Sequence, residues 1–143
     1  MGTDPRNEIE SVMRDWLAAA KAGDSDRLRN HYTEDIVSFD AVMQLQFKGR
    51  DAYMKHWEVS FENCPGPLHF ELSDTAVEAN DALGFSRSLL QCGYTDDDGN
   101  EHLAWMRVTA CYRKVAGRWI IAHEHFSAPF DPENGKAKLD ATP

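Results

Sequence analysis

Two histidines near the end of the chain, His123 and His125, have side chains and a spacing that could do chemistry together. They lie two positions apart in segment 117–129, whose pattern predicts a β-strand. Because alternate side chains of a strand face the same side, one face should combine aromatic, aliphatic and imidazole groups, namely Trp119, Ile121, His123, His125 and Ser127. Such a face could support proton transfer, hydrogen bonding or metal binding beside an apolar surface. Two structural histidines held by their neighbours would produce the same pattern.

Asp40 and Arg107 are the other groups with chemical potential. Asp40 ends a short apolar segment, where a carboxylate could act as a general base or simply accept a backbone N–H in a turn. Arg107 alternates with Trp105 and Thr109, and an arginine on such a face should have an anion beside it. That anion could be an internal acid such as Asp40 or Glu124, or the carboxylate of a ligand.

The two histidines could also join Asp40 in a two-histidine, one-carboxylate metal site, a combination that non-haem iron proteins use. One short motif supplies neither the convergent geometry nor the supporting hydrogen bonds that such a site needs. The acidic turn 96–98 lacks the register of a calcium-binding loop and is predicted to be a hairpin tip. We therefore predict a site without metal or another cofactor.

Length, charge and cysteine content limit the classes of protein to consider. The 143 residues fit one domain, predicted over residues 1–130, followed by a flexible tail over 131–143. The net charge of −9 opposes binding to nucleic acid. Three cysteines leave an odd thiol and favour a reducing, cytoplasmic setting, and no segment has the ~20 apolar residues that cross a bilayer.

The first half of the chain predicts three helices that would position these groups. Asp4 and Pro5 should start the first helix, which should end at Gly23. Asp24 should cap a second helix that continues through Tyr32, and segment 36–40 should form a short strand. A third helix is expected over 50–62, with His56 and Trp57 near the mouth of any pocket.

The second half predicts four long strands, over 68–79, 82–95, 101–115 and 118–127. A turn signal separates each strand from the next, so the strands should form an antiparallel meander. Both faces of the last strand carry apolar residues. We expect the helices to cover one face of the sheet and a second copy of the chain to cover the other.

Two groups of segments resemble known families. Segments 16–24 and 32–40 resemble the start of ketosteroid isomerases, including the Ala-Gly-Asp junction between two helices. Segments 107–109, 117–119 and 123–127 are similar to the SnoaL-like group and to the association domain of calmodulin-dependent protein kinase II. Over residues 5–130 the chain thus resembles the nuclear transport factor 2-like superfamily. The resemblance implies a cone-shaped α+β fold, with three N-terminal helices packed on a strongly curved antiparallel sheet that encloses a cavity.

The resemblance also implies roles for single residues. Asp40 falls at the general-base position of ketosteroid isomerases. Trp16 stands at the position of the tyrosine donor, and the position of the carboxylic acid donor falls near Thr109, so neither member of that oxyanion-binding pair is kept. A histidine used for acid–base chemistry would be similar to the histidines of scytalone dehydratase.

Together these observations predict a homodimeric pocket protein for a small apolar molecule with a polar end. Proton transfer of the isomerase, cyclase or dehydratase type would use Asp40, His125 and His123. Substrate-binding residues would be Trp16, Trp57, Trp105, Arg107, Thr109 and Trp119. The alternative is a non-catalytic ligand-binding or oligomerisation module that resembles the kinase association domain.

Overall fold

The computed structural model describes residues 3–143, which form three helices and six strands in one α+β unit. The helices are α1 (Pro5–Ala22), α2 (Ser25–Arg29) and α3 (Arg50–Glu62). The strands are β1 (Tyr32–Phe39), β2 (Phe47–Lys48), β3 (Leu68–Ala79), β4 (Leu83–Thr95), β5 (Glu101–Val115) and β6 (Arg118–Ser127). None of the helices in the described chain combines the length and apolar character needed to cross a membrane.

The first helix begins and ends as the sequence predicts. The Asp4 side chain accepts a hydrogen bond from the Arg6 backbone N–H, and Pro5 occupies the first turn. Gly23 ends the helix in a left-handed conformation (φ 62°), from which its N–H reaches the carbonyls of Ala19 and Ala20. The helix then packs its apolar stripe against the sheet.

The second helix is shorter than predicted. It ends at Arg29, and the expectation that it continues through Tyr32 is wrong, because Tyr32 begins β1. The Tyr32 hydroxyl accepts from Trp16 and donates to Glu124, and these buried contacts hold the residue in the sheet. β1 consequently starts earlier than the predicted strand over 36–40.

The sheet is mixed, with strand order β2-β1-β6-β5-β4-β3. Strands β3 to β6 form the predicted antiparallel meander. The prediction of a wholly antiparallel sheet is wrong, because β1 pairs with β6 in parallel. A parallel pair needs a long connection between its strands, here the chain from β2 through β5, and local turn signals do not report such a pairing.

A β-bulge at Ala122 determines which side chains of β6 face inward. Opposite β5, Ile121 pairs with Tyr112 and His123 pairs with Cys111, so Ala122 has no partner residue. One extra residue in a strand exchanges the faces of everything that follows it. Trp119 and Ile121 are buried before the bulge, whereas Glu124 and Phe126 are buried after it. The prediction that His123 and His125 share the face of Trp119 is therefore wrong.

The core lies between α1, α3 and the inner face of the sheet. Its largest fully buried side chains belong to both helices and strands, among them Ile9, Tyr53, Tyr32, Leu90 and Ile121. Burial of such apolar surface is worth roughly 25 cal/mol per Å² and fixes α3 against the sheet. The polar side chains of α3 are thereby held beside the end of β1.

Candidate functional site

A pocket of about 200 Å³ lies between α3 and the inner face of the sheet. Most of its wall is apolar, formed by side chains such as Trp57, Phe61, Phe70, Leu90, Met106 and Phe126. Asp40, His56 and Ser60 supply carboxylate, imidazole and hydroxyl groups to this wall. No lysine or arginine of residues 3–143 lines the pocket. A largely apolar pocket with a few convergent polar groups is the usual form of a small-molecule site.

The polar end of the pocket is built around contact between Asp40 and His56. Asp40 follows β1, and its Oδ1 accepts a hydrogen bond from the Ala41 backbone N–H at 2.6 Å. Its Oδ2 contacts Nε2 of His56, and the two side chains are 18% and 9% exposed. The His56 ring stacks on Phe47 with centroids 4.2 Å apart, which fixes the imidazole plane. A carboxylate and an imidazole in contact can share and transfer a proton.

A second polar group, the Glu124 carboxyl, is buried in the core. The hydroxyls of Tyr32 and Tyr53 both donate to its Oε1, at 2.8 and 2.7 Å. Tyr32 in turn accepts from the Trp16 indole N–H at 2.8 Å. These four side chains form a hydrogen-bonded network that joins α1, β1, α3 and β6.

The surroundings of Glu124 change its acidity. Burial raises the pKa of Glu124 to about 7, although the hydrogen bonds from Tyr53 and Tyr32 act in the opposite direction. Burial, together with the neighbouring Glu124 charge, also raises the pKa of both tyrosine hydroxyls well above 10. Glu124 borders a separate cavity of about 20 Å³, large enough for one water molecule, and does not line the larger pocket. Its network is thus distinct from the Asp40–His56 pair.

Trp57 is the predicted substrate-binding tryptophan that lines the larger pocket. It is 8% exposed, and its indole nitrogen is buried with no hydrogen-bond partner in the described chain. Aromatic rings surround it, with centroids 5.5 to 6.3 Å away, on Trp16, Tyr53, Phe61, Phe70 and Phe126. An unpartnered buried donor costs about 1–3 kcal/mol.

The other predicted tryptophans lie elsewhere. Trp16 packs edge-on against Trp57, but its indole N–H is occupied by Tyr32 and it does not line the larger pocket. Trp119 is buried beside α1, with its indole nitrogen 3.5 Å from the Glu8 carboxylate. Trp105 is half-buried and faces the outer side of the sheet, opposite Gln91 on β4. The predicted substrate-binding roles of these three residues stay predictions.

Arg107 and Thr109 also lie on the outer face of the sheet. Both are exposed, on alternate positions of β5 from the buried Val108 and Ala110. Arg107 donates to Ser127 Oγ at 3.5 Å, and no carboxylate of residues 3–143 pairs with it. The expected partnership of Arg107 with Asp40 or Glu124 is wrong, because both acids lie on the inner side of the sheet.

The two histidines of β6 face outward as a result of the bulge. His125 is exposed, and Nδ1 of His123 contacts the Val37 carbonyl. Both rings meet Phe39 edge-on, with centroids 4.7 Å away for His123 and 5.4 Å for His125. His125 borders a shallow depression beside the loop that follows Asp40. Among residues 3–143, no group of three histidine, cysteine, aspartate or glutamate side chains is arranged to hold a metal ion.

Comparison with known proteins places the chain in a family. A profile of the SnoaL-like domain matches residues 9–131. The chain belongs to the SnoaL-like domain family. An NTF2-like protein of unknown function from Pseudomonas putida KT2440 is 40% identical to it, with a TM-score of 0.92 over 100% of this chain and 99% of the other. A search of curated proteins found no match.

Two more distant structures share the fold of this SnoaL-like protein. A putative calcium/calmodulin-dependent protein kinase II association domain from Xanthomonas campestris is 21% identical, with a TM-score of 0.76 over 92% of this chain and 91% of the other. A ketosteroid isomerase-like protein from Erwinia carotovora atroseptica SCRI1043 is also 21% identical, with a TM-score of 0.73 over 88% and 97% of the two chains. The predicted recognition of an NTF2-like, SnoaL-like chain is confirmed, and the distant structures bear on fold alone.

Proposed function

We propose that this SnoaL-like protein binds a small, largely apolar molecule and catalyses proton transfer on it, with Asp40 as the base. The observation that carries the proposal is the contact of Asp40 with His56 at the wall of the apolar pocket. Asp40 would take a proton from a carbon beside a carbonyl group. His56, which can donate through one ring nitrogen and accept through the other, would orient Asp40 and share its proton.

This assignment gives His56 the role predicted for His123 and His125. The two outward histidines lie on the opposite face of β6 from Phe126, which lines the pocket. His56 instead touches both Asp40 and the pocket. A catalytic base needs hydrogen-bond reach to the proton that it moves, and this requirement supports His56 over His123 and His125 for the role that we propose.

The volume of the pocket restricts the ligand. Pockets for drug-sized ligands hold about 300–1,000 Å³, whereas this one holds about 200 Å³. A molecule of one or two fused rings would fit better than one of four. We also propose that the fold has the predicted cone shape, in which a strongly curved sheet closes around such a ligand.

The alternative is a non-catalytic binding or assembly module. It is favoured by the outer face of the sheet, where Phe85 is 41% exposed and Leu89 and Trp105 are half-buried. A second copy of the chain would cover these side chains, so we propose a homodimer for either function. The three free cysteines support a reducing compartment such as the cytoplasm.

Hydrogen exchange tests the catalytic proposal before the natural substrate is known. The protein would be incubated with 1-indanone in D₂O, and loss of the protons beside the carbonyl would be followed by NMR. We expect catalysed exchange that falls by about 100- to 10,000-fold in Asp40→Asn, because the amide keeps the shape of the side chain but cannot accept the proton. Exchange that Asp40→Asn leaves unchanged would contradict the role of Asp40.

The control is Asp97→Asn, the same chemical change at an exposed hairpin position. It should exchange protons at the wild-type rate. Asp40→Asn should also melt near the wild-type temperature, because Arg107 lies on the other side of the sheet and the Asn side chain can still contact His56 and accept from the Ala41 backbone N–H. A large drop in its melting temperature would instead assign Asp40 a structural role.

A further inference from the structure

We propose that a depression on the outer face of the sheet binds the phosphate group of a small organic molecule, and that Arg87 and Arg107 hold this group. The depression has a volume of about 610 Å³ and lies where β3, β4 and β5 run side by side. It shares no lining residue with the pocket that contains Asp40 and His56. The site therefore stands apart from the proposed proton transfer.

The two arginines are neighbours on adjacent strands. In the pairing of β4 with β5, Arg87 lies opposite Thr109, which is two residues from Arg107. Such diagonal neighbours are roughly 7–8 Å apart, a separation that two long side chains can bridge. Both arginines are exposed, and both line the depression together with Thr109. Two guanidinium groups and a hydroxyl thus offer hydrogen-bond donors to one ligand.

Neither Arg87 nor Arg107 has a carboxylate partner in the part of the chain that the structure describes. The sequence predicted an anion beside Arg107, and acids are in excess in this chain, with 24 acidic residues against 15 lysines and arginines. Ion pairs between an arginine and an acid form elsewhere in the fold, at Arg6, Arg27, Arg29, Arg50 and Arg113. The two adjacent charges on the outer face are thereby left for an anion from outside the chain.

Strand β3 forms one side of the depression through an irregularity in its pairing. Two residues of β3, Asp74 and Thr75, occupy the interval that β4 spans with Ser88 alone. The hydroxyls of Thr75 and Ser88 share a hydrogen bond at 2.9 Å across this interval. The Asp74 carboxylate also lines the depression, and its negative charge opposes an anion. The affinity for an anion should therefore depend on Asp74 in the opposite sense to its dependence on the two arginines.

The charge and the size of the depression indicate the class of ligand. A phosphate monoester carries between about 1.5 and 2 negative charges at pH 7 and so matches two guanidinium groups, whereas a carboxylate carries one charge. The volume of about 610 Å³ falls within the range of roughly 300–1,000 Å³ that small-molecule sites have. Half-buried Ala76 and Leu89 also line the depression and offer an apolar surface to the organic part of the ligand.

Calorimetric titration with three probes at neutral pH tests this class of ligand. Phenyl phosphate and benzoate share a ring and differ in charge, whereas inorganic phosphate has the phosphate group without the ring. We expect the wild-type protein to bind phenyl phosphate more tightly than either of the other two. Benzoate that binds as tightly as phenyl phosphate, or phenyl phosphate that does not bind, would overturn the phosphate site. Inorganic phosphate that binds as tightly would overturn the organic part of the ligand.

Substitutions test the location of the site. Arg87→Gln and Arg107→Gln should each weaken the binding of phenyl phosphate by about 5-fold, the value of a favourable exposed ion pair. Asp74→Asn should strengthen it by about 2-fold, because the like charge is removed and asparagine tolerates the left-handed backbone at this position (φ 50°). Arg14→Gln, the same change at an exposed position of α1, is the control and should bind as the wild type does. Binding that neither Arg87→Gln nor Arg107→Gln weakens would overturn the site.

Sedimentation distinguishes the phosphate ligand from an acid of a second copy. A second copy on the outer face would cover Arg87 and Arg107, and a covered cation needs a counter-ion. If the ligand supplies this charge, phenyl phosphate should leave the dimer intact or strengthen it. Dissociation of the dimer by phenyl phosphate would overturn the inference, because an acid of the second copy would then be the partner of the arginines. A monomeric wild type that binds phenyl phosphate would contradict the dimer and support the phosphate site.

Discussion

At the scale of single residues, Glu124 shows how burial controls chemistry. The unfolded chain releases the Glu124 proton near pH 4.5, whereas the folded chain holds it to about pH 7. The folded state therefore binds more protons in this interval, and raising the pH lowers the free energy of unfolding. The free energy of unfolding falls by about 3 kcal/mol in total, and the fall is complete above the pKa of Glu124 in the folded state.

We predict that Glu124→Gln removes this part of the pH dependence. The amide cannot ionise, and its oxygen can still accept from Tyr32 and Tyr53. The two proteins would be compared by urea denaturation at several pH values between 4.5 and 8. The free energy of unfolding of the variant, relative to that of the wild type, should rise by about 3 kcal/mol across this interval.

The matched control for this experiment is Glu101→Gln, which alters an exposed glutamate at the start of β5. Its free energy of unfolding should follow the wild type at every pH. If the free energy of unfolding of Glu124→Gln also follows the wild type at every pH, Glu124 is ionised in the folded protein throughout the interval. Its burial would then leave its pKa unchanged.

The sequence predicted the position of one residue of the pocket and could not have predicted the positions of others. Trp57 lines the pocket as expected, because helical spacing turns it inward together with Tyr53. The pairing of Asp40 with His56 depends on how α3 packs against the end of β1, and no local pattern reports that packing. The burial of Glu124 could not be predicted for a related reason. Strict alternation assigned its two neighbouring histidines to the inner face and therefore Glu124 to the outer face.

At the scale of elements, the predictions held where local signals were complete. α1 has a cap, a proline and a terminal glycine, and it forms over the expected residues. The meander also follows from its turn signals. The length of α2 and the parallel pairing of β1 depend on contacts distant in sequence, such as the hydrogen bond from Tyr32 to Glu124. These features could not be read from local periodicity.

The bulge in β6 yields a prediction at this scale. Deletion of Ala122 would make Ile121 and His123 consecutive, and their partners Tyr112 and Cys111 are already consecutive in β5. The strand would then alternate strictly with Glu124 and Phe126 still in the core and His123 and His125 still facing outward. We expect the deletion variant to fold, as measured by circular dichroism and by its fraction in the soluble extract.

Deletion of Asp97 is the control, because it removes one residue from the exposed turn between β4 and β5 without changing the register of either strand's buried face. This variant should fold, with a modest change in melting temperature. An Ala122 deletion that is unfolded, beside a folded Asp97 deletion, would contradict the assignment of Ala122 as the extra residue of β6.

At the scale of the whole molecule, the two functions that we propose, ligand binding and self-association, use opposite faces of the sheet. The inner face packs on α1 and α3 and forms the pocket. The outer face carries half-buried apolar side chains together with exposed Arg87, Arg107 and Arg113. In a chain of net charge −9, these cations lower the local negative charge and so reduce the repulsion between two copies.

We predict that two copies associate through this outer face. Trp105 is a half-buried aromatic side chain on β5, a central strand of the sheet, and aromatic residues in such positions often dominate interfaces. Sedimentation at micromolar concentration should show a dimer for the wild type and a monomer for Trp105→Glu, because a buried carboxylate without a partner is costly. Val59→Glu, which places the same charge at an exposed position of α3, should remain dimeric. A monomeric wild type would contradict the prediction, and a dimeric Trp105→Glu would move the interface away from the centre of the outer face.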